Sequence, residues 1–276
     1  MNARATLALL ADTFREALAR KIFWGLFGLS ALLIAFFLFV MKIDVVAGAT
    51  ATVSLFGRNA GPVADVHRLI QGVYGFVAVF LYTWGMFLAV FASAGLIPSL
   101  LEPGRIELLL SKPVSRIRIL LGRYVGNLLV VGANTIFLVL GVWTIFGWKT
   151  GLWPVSFLIA IPTTVFIFSV LLAVVALVGV LWESTALAVM VPVALMIVSP
   201  ILAQEKIARK LLSSEWSRNL WKALYLSTPR VFDVGFSTLA TIRDRSFGSL
   251  EPLWTSAAFG LVMLTTALIV FARRDF

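Results

Sequence analysis

The sequence predicts an all-α polytopic membrane protein with six transmembrane helices, and three observations support this fold class. Hydrophobic residues make up 61% of the 276 residues and the mean hydropathy is +1.00, whereas a soluble domain is nearer half apolar. Several apolar runs reach the ~18 residues that mark a membrane-spanning helix. No polar stretch between them is long enough for a separate soluble domain. We therefore expect a single transmembrane domain over residues 1–276.

Composition excludes several classes of function. The formal net charge of +10 would suit nucleic acid, but basic residues of membrane proteins flank the spans and contact anionic lipid. We therefore expect membrane lipids as partners and no nucleic acid. The chain has no cysteine, which excludes disulfides and thiolate sites. Its one histidine, His67, lies in a predicted loop without partners for a zinc site or a catalytic triad, so we expect no catalytic residue, metal site or cofactor in this chain.

The first predicted element is an amphipathic helix over residues 4–21. Its apolar residues recur every three or four positions while charged residues take the other side, which is typical of a helix lying in the membrane interface. The alternative is that it forms the polar end of a long first span. Span one covers residues 22–41 and is not a cleavable signal, because it lacks a small-x-small cleavage site. A mixed loop of glycines and charged residues follows at 42–71.

Five further apolar runs predict the remaining spans, at 72–97, 119–146, 155–181, 186–202 and 252–271. Spans four and five are separated only by a short turn that contains Glu183. The loop from 204 to 251 is polar, with apolar residues at helical spacing, and predicts two short amphipathic helices that separate near Pro229.

Six spans place both termini on one face of the membrane. Arg15, Arg20 and Lys21 directly precede span one, and basic residues beside the first span favour the cytoplasmic side. We therefore expect both termini in the cytoplasm and the 204–251 loop outside. The basic residues of that loop favour the opposite orientation.

The sequence predicts that the chain does not consume nucleotide itself. Its nearest approach to a phosphate-binding loop, Gly147-Trp148-Lys149-Thr150, lacks the adjacent Gly-Lys pair. An ion-coupled carrier would place ionisable residues deep within its spans, and spans one, two, three and six have none at their centres. Glu183 lies at a turn instead. A stand-alone carrier or channel is the competing class, and a non-transporting scaffold driven by an ATPase is a third.

Small and polar residues in span three predict close helix packing. Gly122 and Gly126 have the small-xxx-small spacing that lets helices approach closely, and Asn127 and Asn134 lie seven residues apart on one face. We expect these four residues to serve helix packing, with a substrate site at the asparagines as the alternative.

Residues 102–118, EPGRIELLLSKPVSRIR, form a charge-dense segment between spans two and three. Pro103 and Gly104 suit a turn into a short helix, Pro113 breaks that helix, and Ser115 can cap the next one. The segment either takes up motion from a soluble partner or is a solvated loop that contacts lipid only. The residues that would face such a partner are Glu102, Gly104, Arg105, Glu107, Lys112, Pro113 and Arg116.

This segment resembles the signature of the ABC-2 type permease family, the membrane subunits of ATP-binding-cassette exporters. The similar residues are Glu102, Gly104, Glu107-Leu108-Leu109-Leu110-Ser111, Pro113-Val114-Ser115-Arg116 and Leu121-Gly122-Arg123-Tyr124. Thr13-Phe14-Arg15-Glu16-Ala17 before span one and Arg273-Arg274-Asp275 at the end are also similar to family members. The short form with a long final loop is similar to permeases linked to copper-enzyme maturation.

The resemblance implies a half-transporter in the cell membrane of a bacterium or archaeon. Two such chains, identical or paired with a homologue, would sit over two separate ATPase subunits, which bind ATP and magnesium. The stretch at 104–112 would be the coupling helix, resting in a cleft of the ATPase. Substrate would leave outward between the two permeases, and substrates of the family include lipids, lipid-linked glycans, peptides and drugs.

Overall fold

A computed structural model of the chain describes residues 21–46, 50–55, 58–63, 65–95, 98–100, 115–204, 214–243 and 245–274. Six of its helices are long and apolar enough to cross a membrane. They are α1 (Lys21–Ala35, continued by a π-helical turn at Phe36–Val40), α2 (Val66–Ala94), α3 (Arg116–Thr150), α4 (Val155–Trp182), α5 (Thr185–Leu202) and α8 (Glu251–Arg273). Two shorter helices, α6 (Glu215–Ser227) and α7 (Val231–Ile242), lie between α5 and α8. The predicted all-α polytopic fold with six spans is confirmed, while the predicted interfacial helix at 4–21 lies outside the described residues.

A small antiparallel sheet stands where the sequence analysis expected a mixed loop. Its strands are β1 (Met41–Val46), β2 (Thr50–Leu55) and β3 (Arg58–Val63), in the order β1-β2-β3. Met41 pairs with Leu55 and Val46 with Thr50. β1 and β2 are rich in Val, Ile and Thr, which favour strands, and so few residues separate consecutive strands that each pair forms a hairpin. The glycines and charges of the segment hid this pattern.

Helix α2 begins earlier than the predicted span two, because Asp65 caps it. The backbone N–H of His67 donates to Asp65 Oδ1 at 2.9 Å, which satisfies one of the amides left without a partner at a helix start. His67 therefore lies in the first turn of a helix and not in a loop. Its Nε2 lies 3.0 Å from Gln71 Nε2, one turn further along.

Helix α4 is the centre of the bundle. Its sequence is apolar on every face, as expected for a helix surrounded by protein, and it is the most deeply buried of the six spans. It packs against α2, α3, α5 and α8. Gly260 of α8 lets that helix approach α4 closely, since a Cβ at this position would lie 3.2 Å from Val170 Cγ2.

Helix α7 is embedded in the bundle, although the sequence analysis expected a short amphipathic helix within a polar loop here. Val231, Val234, Thr238 and Ile242 recur at helical spacing and are buried against α2, α4 and α5. The backbone N–H of Phe232 donates to Ser199 Oγ of α5 at 3.0 Å. Helix α7 therefore packs as part of the helix bundle.

Consecutive spans run in opposite directions, so the start of one helix and the end of the next lie together at each of the two ends of the bundle. At one end, which we call the Arg274 end, Arg116 at the start of α3 hydrogen bonds to the backbone carbonyl of Arg274 just past α8. At the other, the Arg230 end, Lys149 Nζ near the end of α3 donates to the carbonyl of Phe37 after α1, at 2.7 Å. Helices α6 and α7 meet at the Arg230 end.

The docking of α7 predicts the effect of a substitution at Gly235. A Cβ there would lie 2.8 Å from Cε1 of the Tyr82 ring on α2, so Gly235→Ala forces the two helices apart. We expect a loss of about 1–3 kcal/mol in the free energy of unfolding, the usual cost of overpacking, measured as a lower thermal unfolding temperature in detergent. Gly28→Ala is the matched control, because nothing lies within 4 Å of its Cβ position in α1; an equal loss in both variants contradicts the prediction.

Candidate functional site

The predicted coupling residues divide between described and undescribed parts of the chain. Glu102, Gly104, Arg105, Glu107, Lys112 and Pro113 lie outside the described residues. Arg116 is the one predicted coupling residue that the structure describes, and it is the first residue of α3. Ser115 occupies the N-cap position with extended backbone, but its side chain makes no capping bond. Its backbone carbonyl instead accepts from the N–H of Arg118 at 2.9 Å.

A chain of hydrogen bonds joins three helix ends at the Arg274 end. Arg116 Nη1 donates to the backbone carbonyl of Arg274. Arg274 Nη1 donates to the carbonyl of Val180 in the last turn of α4, and its Nη2 forms an ion pair with Glu183 Oε1. We call this the Arg116–Arg274–Glu183 network. It links the start of α3 to the end of α4 and the end of α8.

Glu183 holds an unusual backbone conformation within this network. Its φ of 53° is the only positive φ of a non-glycine residue in the described part of the chain. Its N–H donates to the Gly179 carbonyl at 3.1 Å and ends α4, while Ser184 Oγ accepts from Leu187 N–H to begin α5. A non-glycine residue in the left-handed region costs about 1–3 kcal/mol, and the bond to Arg274 helps to offset that cost. The sequence analysis placed Glu183 correctly at a turn but did not foresee its partner.

Arg123 is a buried charge close to the same end. It lies two turns into α3 and is only 5% exposed. The next residue, Tyr124, donates its hydroxyl to the carbonyl of Ser169 on α4 at 2.8 Å. The sequence analysis named Arg123 only as part of the Leu121-Gly122-Arg123-Tyr124 motif and did not predict its burial. The signal that could have indicated its burial was its position within the apolar run that follows residue 118.

The four predicted packing residues of α3 are all buried: Gly122, Gly126, Asn127 and Asn134. Ser93 on α2 donates its hydroxyl to Asn127 Oδ1 at 3.1 Å, which is a hydrogen bond between the two helices on either side of the coupling segment. Asn134 Oδ1 has no hydrogen-bond partner among the described residues. These two asparagines therefore differ in role, although both lie on one face of α3.

The hydrogen bonds and the ion pair described above connect helices to one another. Across the described ranges, no three histidine, aspartate or glutamate side chains gather closely enough to hold a metal ion. At the Arg274 end, two arginines and one glutamate lie at the ends of packed helices: Arg116, Arg274 and Glu183. Such a group can move helix ends together, because charge-assisted hydrogen bonds are short and directional.

Together, the apolar spans and the charged helix ends define a polytopic membrane protein whose polar groups concentrate at its two ends. The chain belongs to the ABC-2 family of transporter proteins, whose family model matches residues 7–276. A comparison with curated proteins found no match. The resemblance suggested by residues 102–126 is therefore confirmed, and over nearly the whole chain. This family supplies the membrane component of a transporter, is not itself catalytic, and associates with ABC ATPase subunits.

The Arg116–Arg274–Glu183 network predicts a measurable coupling between two side chains. Arg274→Gln and Glu183→Gln should each lower the free energy of unfolding by about 0.5–1 kcal/mol, because the side chains are 30% and 47% exposed and partly exposed ion pairs contribute little more. The double variant should cost less than the sum of the two, as measured by chemical denaturation in detergent. Arg273→Gln, one residue away and exposed, is the control. Strict additivity of the two losses contradicts the ion pair.

Proposed function

We propose that this chain is the permease subunit of an ATP-driven exporter. With a second permease chain, identical or homologous, it forms the export path and is driven by two separate ATPase subunits. ATP and magnesium bind to those partners, and the chain itself needs no cofactor. The observation that carries the proposal is the Arg116–Arg274–Glu183 network, which begins at the residue where the coupling segment joins α3.

The contacts around the coupling segment support transmission of motion into the bundle. The segment connects the end of α2 to the start of α3, and the Ser93–Asn127 bond at 3.1 Å ties these two helices together. A displacement of the segment therefore moves both helices as one body. Arg116 passes the displacement to Arg274, and Arg274 passes it to the end of α4. Packed helices shift as rigid units in such transitions.

Each residue of the coupling segment has a proposed role at the ATPase surface. Gly104 and Pro113 bound the coupling helix. The charged residues between and beside them pair with the ATPase, and charge pairing of this kind fixes the register of a partner. They are Glu102, Arg105, Glu107, Lys112 and Arg116.

We further propose that the Arg274 end faces the cytoplasm, with both termini there and the 204–251 stretch outside. Arg15 and Arg20 precede α1 and Lys21 is its first residue, and Arg116 and Arg274 lie at the same end of the bundle. Basic residues beside membrane spans are enriched on the cytoplasmic side. A soluble ATPase can reach the coupling segment only in this orientation.

Charge reversal in the coupling segment tests the proposal. Glu107→Lys should weaken co-purification of the ATPase at least ~tenfold, because placing like charges together across an interface costs several kcal/mol. It should also abolish stimulation of ATP turnover by the permease. The matched control is Glu215→Lys, the same change at the start of α6 on the opposite end of the bundle. Normal binding and normal stimulation by the Glu107→Lys protein refute the assignment.

A further inference from the structure

A cavity of about 490 Å³ lies at the Arg230 end of the bundle, opposite the end that holds Arg116. It is lined by α6, by the end of α5, by Arg230 just before α7 and by the start of α8. Its polar lining consists mainly of Arg218, Asn219, Lys222, Arg230 and Glu251. Three cations and one carboxylate give this lining a net charge of +2, so it favours a negatively charged occupant.

Arg230 is the most informative residue of the cavity. Its side chain is only 5% exposed, and Nη2 lies 3.0 Å from Glu251 Oε1. Its guanidinium carbon lies 4.5 Å from the ring centroid of Tyr225, a cation–π contact. Its Nε–H, however, finds no acceptor among the described residues. A buried arginine donor without an acceptor is costly, and an anionic ligand in the cavity would supply the missing acceptor.

A second carboxylate, Asp233, contacts the cavity residue Tyr225 but does not cancel the positive charge of the lining. Tyr225 donates its hydroxyl to Asp233 Oδ2 at 2.7 Å. Burial, together with the hydrogen bond to Asp233 and its charge, raises the pKa of Tyr225 to about 12. The phenol therefore stays protonated at neutral pH and remains the donor to Asp233. Even when Asp233 is counted with the lining, the sum of these charges is +1.

The cavity lies at the level of the membrane where lipid headgroups are found. Trp221 Nε1 donates to the carbonyl of Leu202, the last residue of α5, at 3.2 Å, and α8 begins at Glu251. Both are ends of membrane-spanning helices and so lie near the headgroup layer. Trp216 on α6 is 72% exposed, as is common for indole rings in that layer.

We propose that this cavity binds a phosphate group, carried by an anionic phospholipid headgroup or free in solution. Phosphate fits because arginine and lysine bind its oxygens through charge-assisted hydrogen bonds. Arg230 Nε and the Asn219 amide donate to its oxygens, and Lys222 and Arg218 balance its charge. The inference does not depend on the proposed transport function or on the orientation of the chain.

Native mass spectrometry of the full chain in detergent tests the proposal, with phosphatidylglycerol and phosphatidylcholine as the two probe lipids. We expect phosphatidylglycerol to bind more tightly than phosphatidylcholine. Lys222→Gln and Arg218→Gln should each weaken phosphatidylglycerol binding about tenfold, because each removes one positive charge that balances the phosphate. Arg245→Gln is the matched control, because it removes an exposed positive charge beyond α7 and outside the cavity lining. In parallel, millimolar inorganic phosphate is added and the thermal unfolding temperature is measured.

The two arms distinguish the sources of the phosphate. A preference for phosphatidylglycerol that Lys222→Gln removes and Arg245→Gln retains supports a lipid headgroup. Thermal stabilisation by inorganic phosphate that Lys222→Gln abolishes, without a preference between the lipids, supports free phosphate in the same site. The proposal is overturned if phosphatidylglycerol binds no more tightly than phosphatidylcholine and inorganic phosphate does not raise the thermal unfolding temperature. It is also overturned if Arg245→Gln weakens binding as much as Lys222→Gln does.

Discussion

The structure depends above all on the absence of water in the hydrocarbon layer. A backbone amide or carbonyl there must find its partner within the protein, and a single chain meets this demand with helices. Helix α4 shows the consequence most fully, because its side chains are apolar all round and it is buried against α2, α3, α5 and α8. With such a centre, charged groups are displaced to the two ends of the bundle, while uncharged polar side chains such as Asn127 and Asn134 remain within it. The function of the protein is therefore to be sought at those ends.

The two ends use arginine in different ways. At the Arg274 end, guanidinium groups bond to backbone carbonyls and to Glu183, so they join helix ends that would otherwise be independent. At the Arg230 end, a buried guanidinium retains an unused donor beside a positively charged cavity. The first arrangement suits transmission of force from a partner and the second suits binding of an anion. Arg123 belongs with the first, since it lies two turns from the start of α3 and far from the midpoint of that helix, where an ion-coupled carrier would need its charge.

The fold was largely predictable because membrane spans are encoded locally. Each apolar run specifies a helix without reference to the rest of the chain, and the motif at 102–126 indicated the family. The sheet of β1, β2 and β3 was missed because the glycines and charges of the segment masked the pattern of its strands. The burial of α7, the burial of Arg123 and the partners of Arg230 and Arg274 were missed for a different reason. They depend on which helices meet, and a single sequence carries no direct record of that.

The central claim is that the coupling segment lies on the cytoplasmic side and the Arg230 end on the other. The chain has no cysteine, so single-cysteine variants can be labelled without background. Ser111→Cys and Ser214→Cys should be exposed to a membrane-impermeant maleimide in right-side-out and inside-out vesicles. We predict that Ser111→Cys reacts only in inside-out vesicles and Ser214→Cys only in right-side-out vesicles. The reverse pattern would contradict the account.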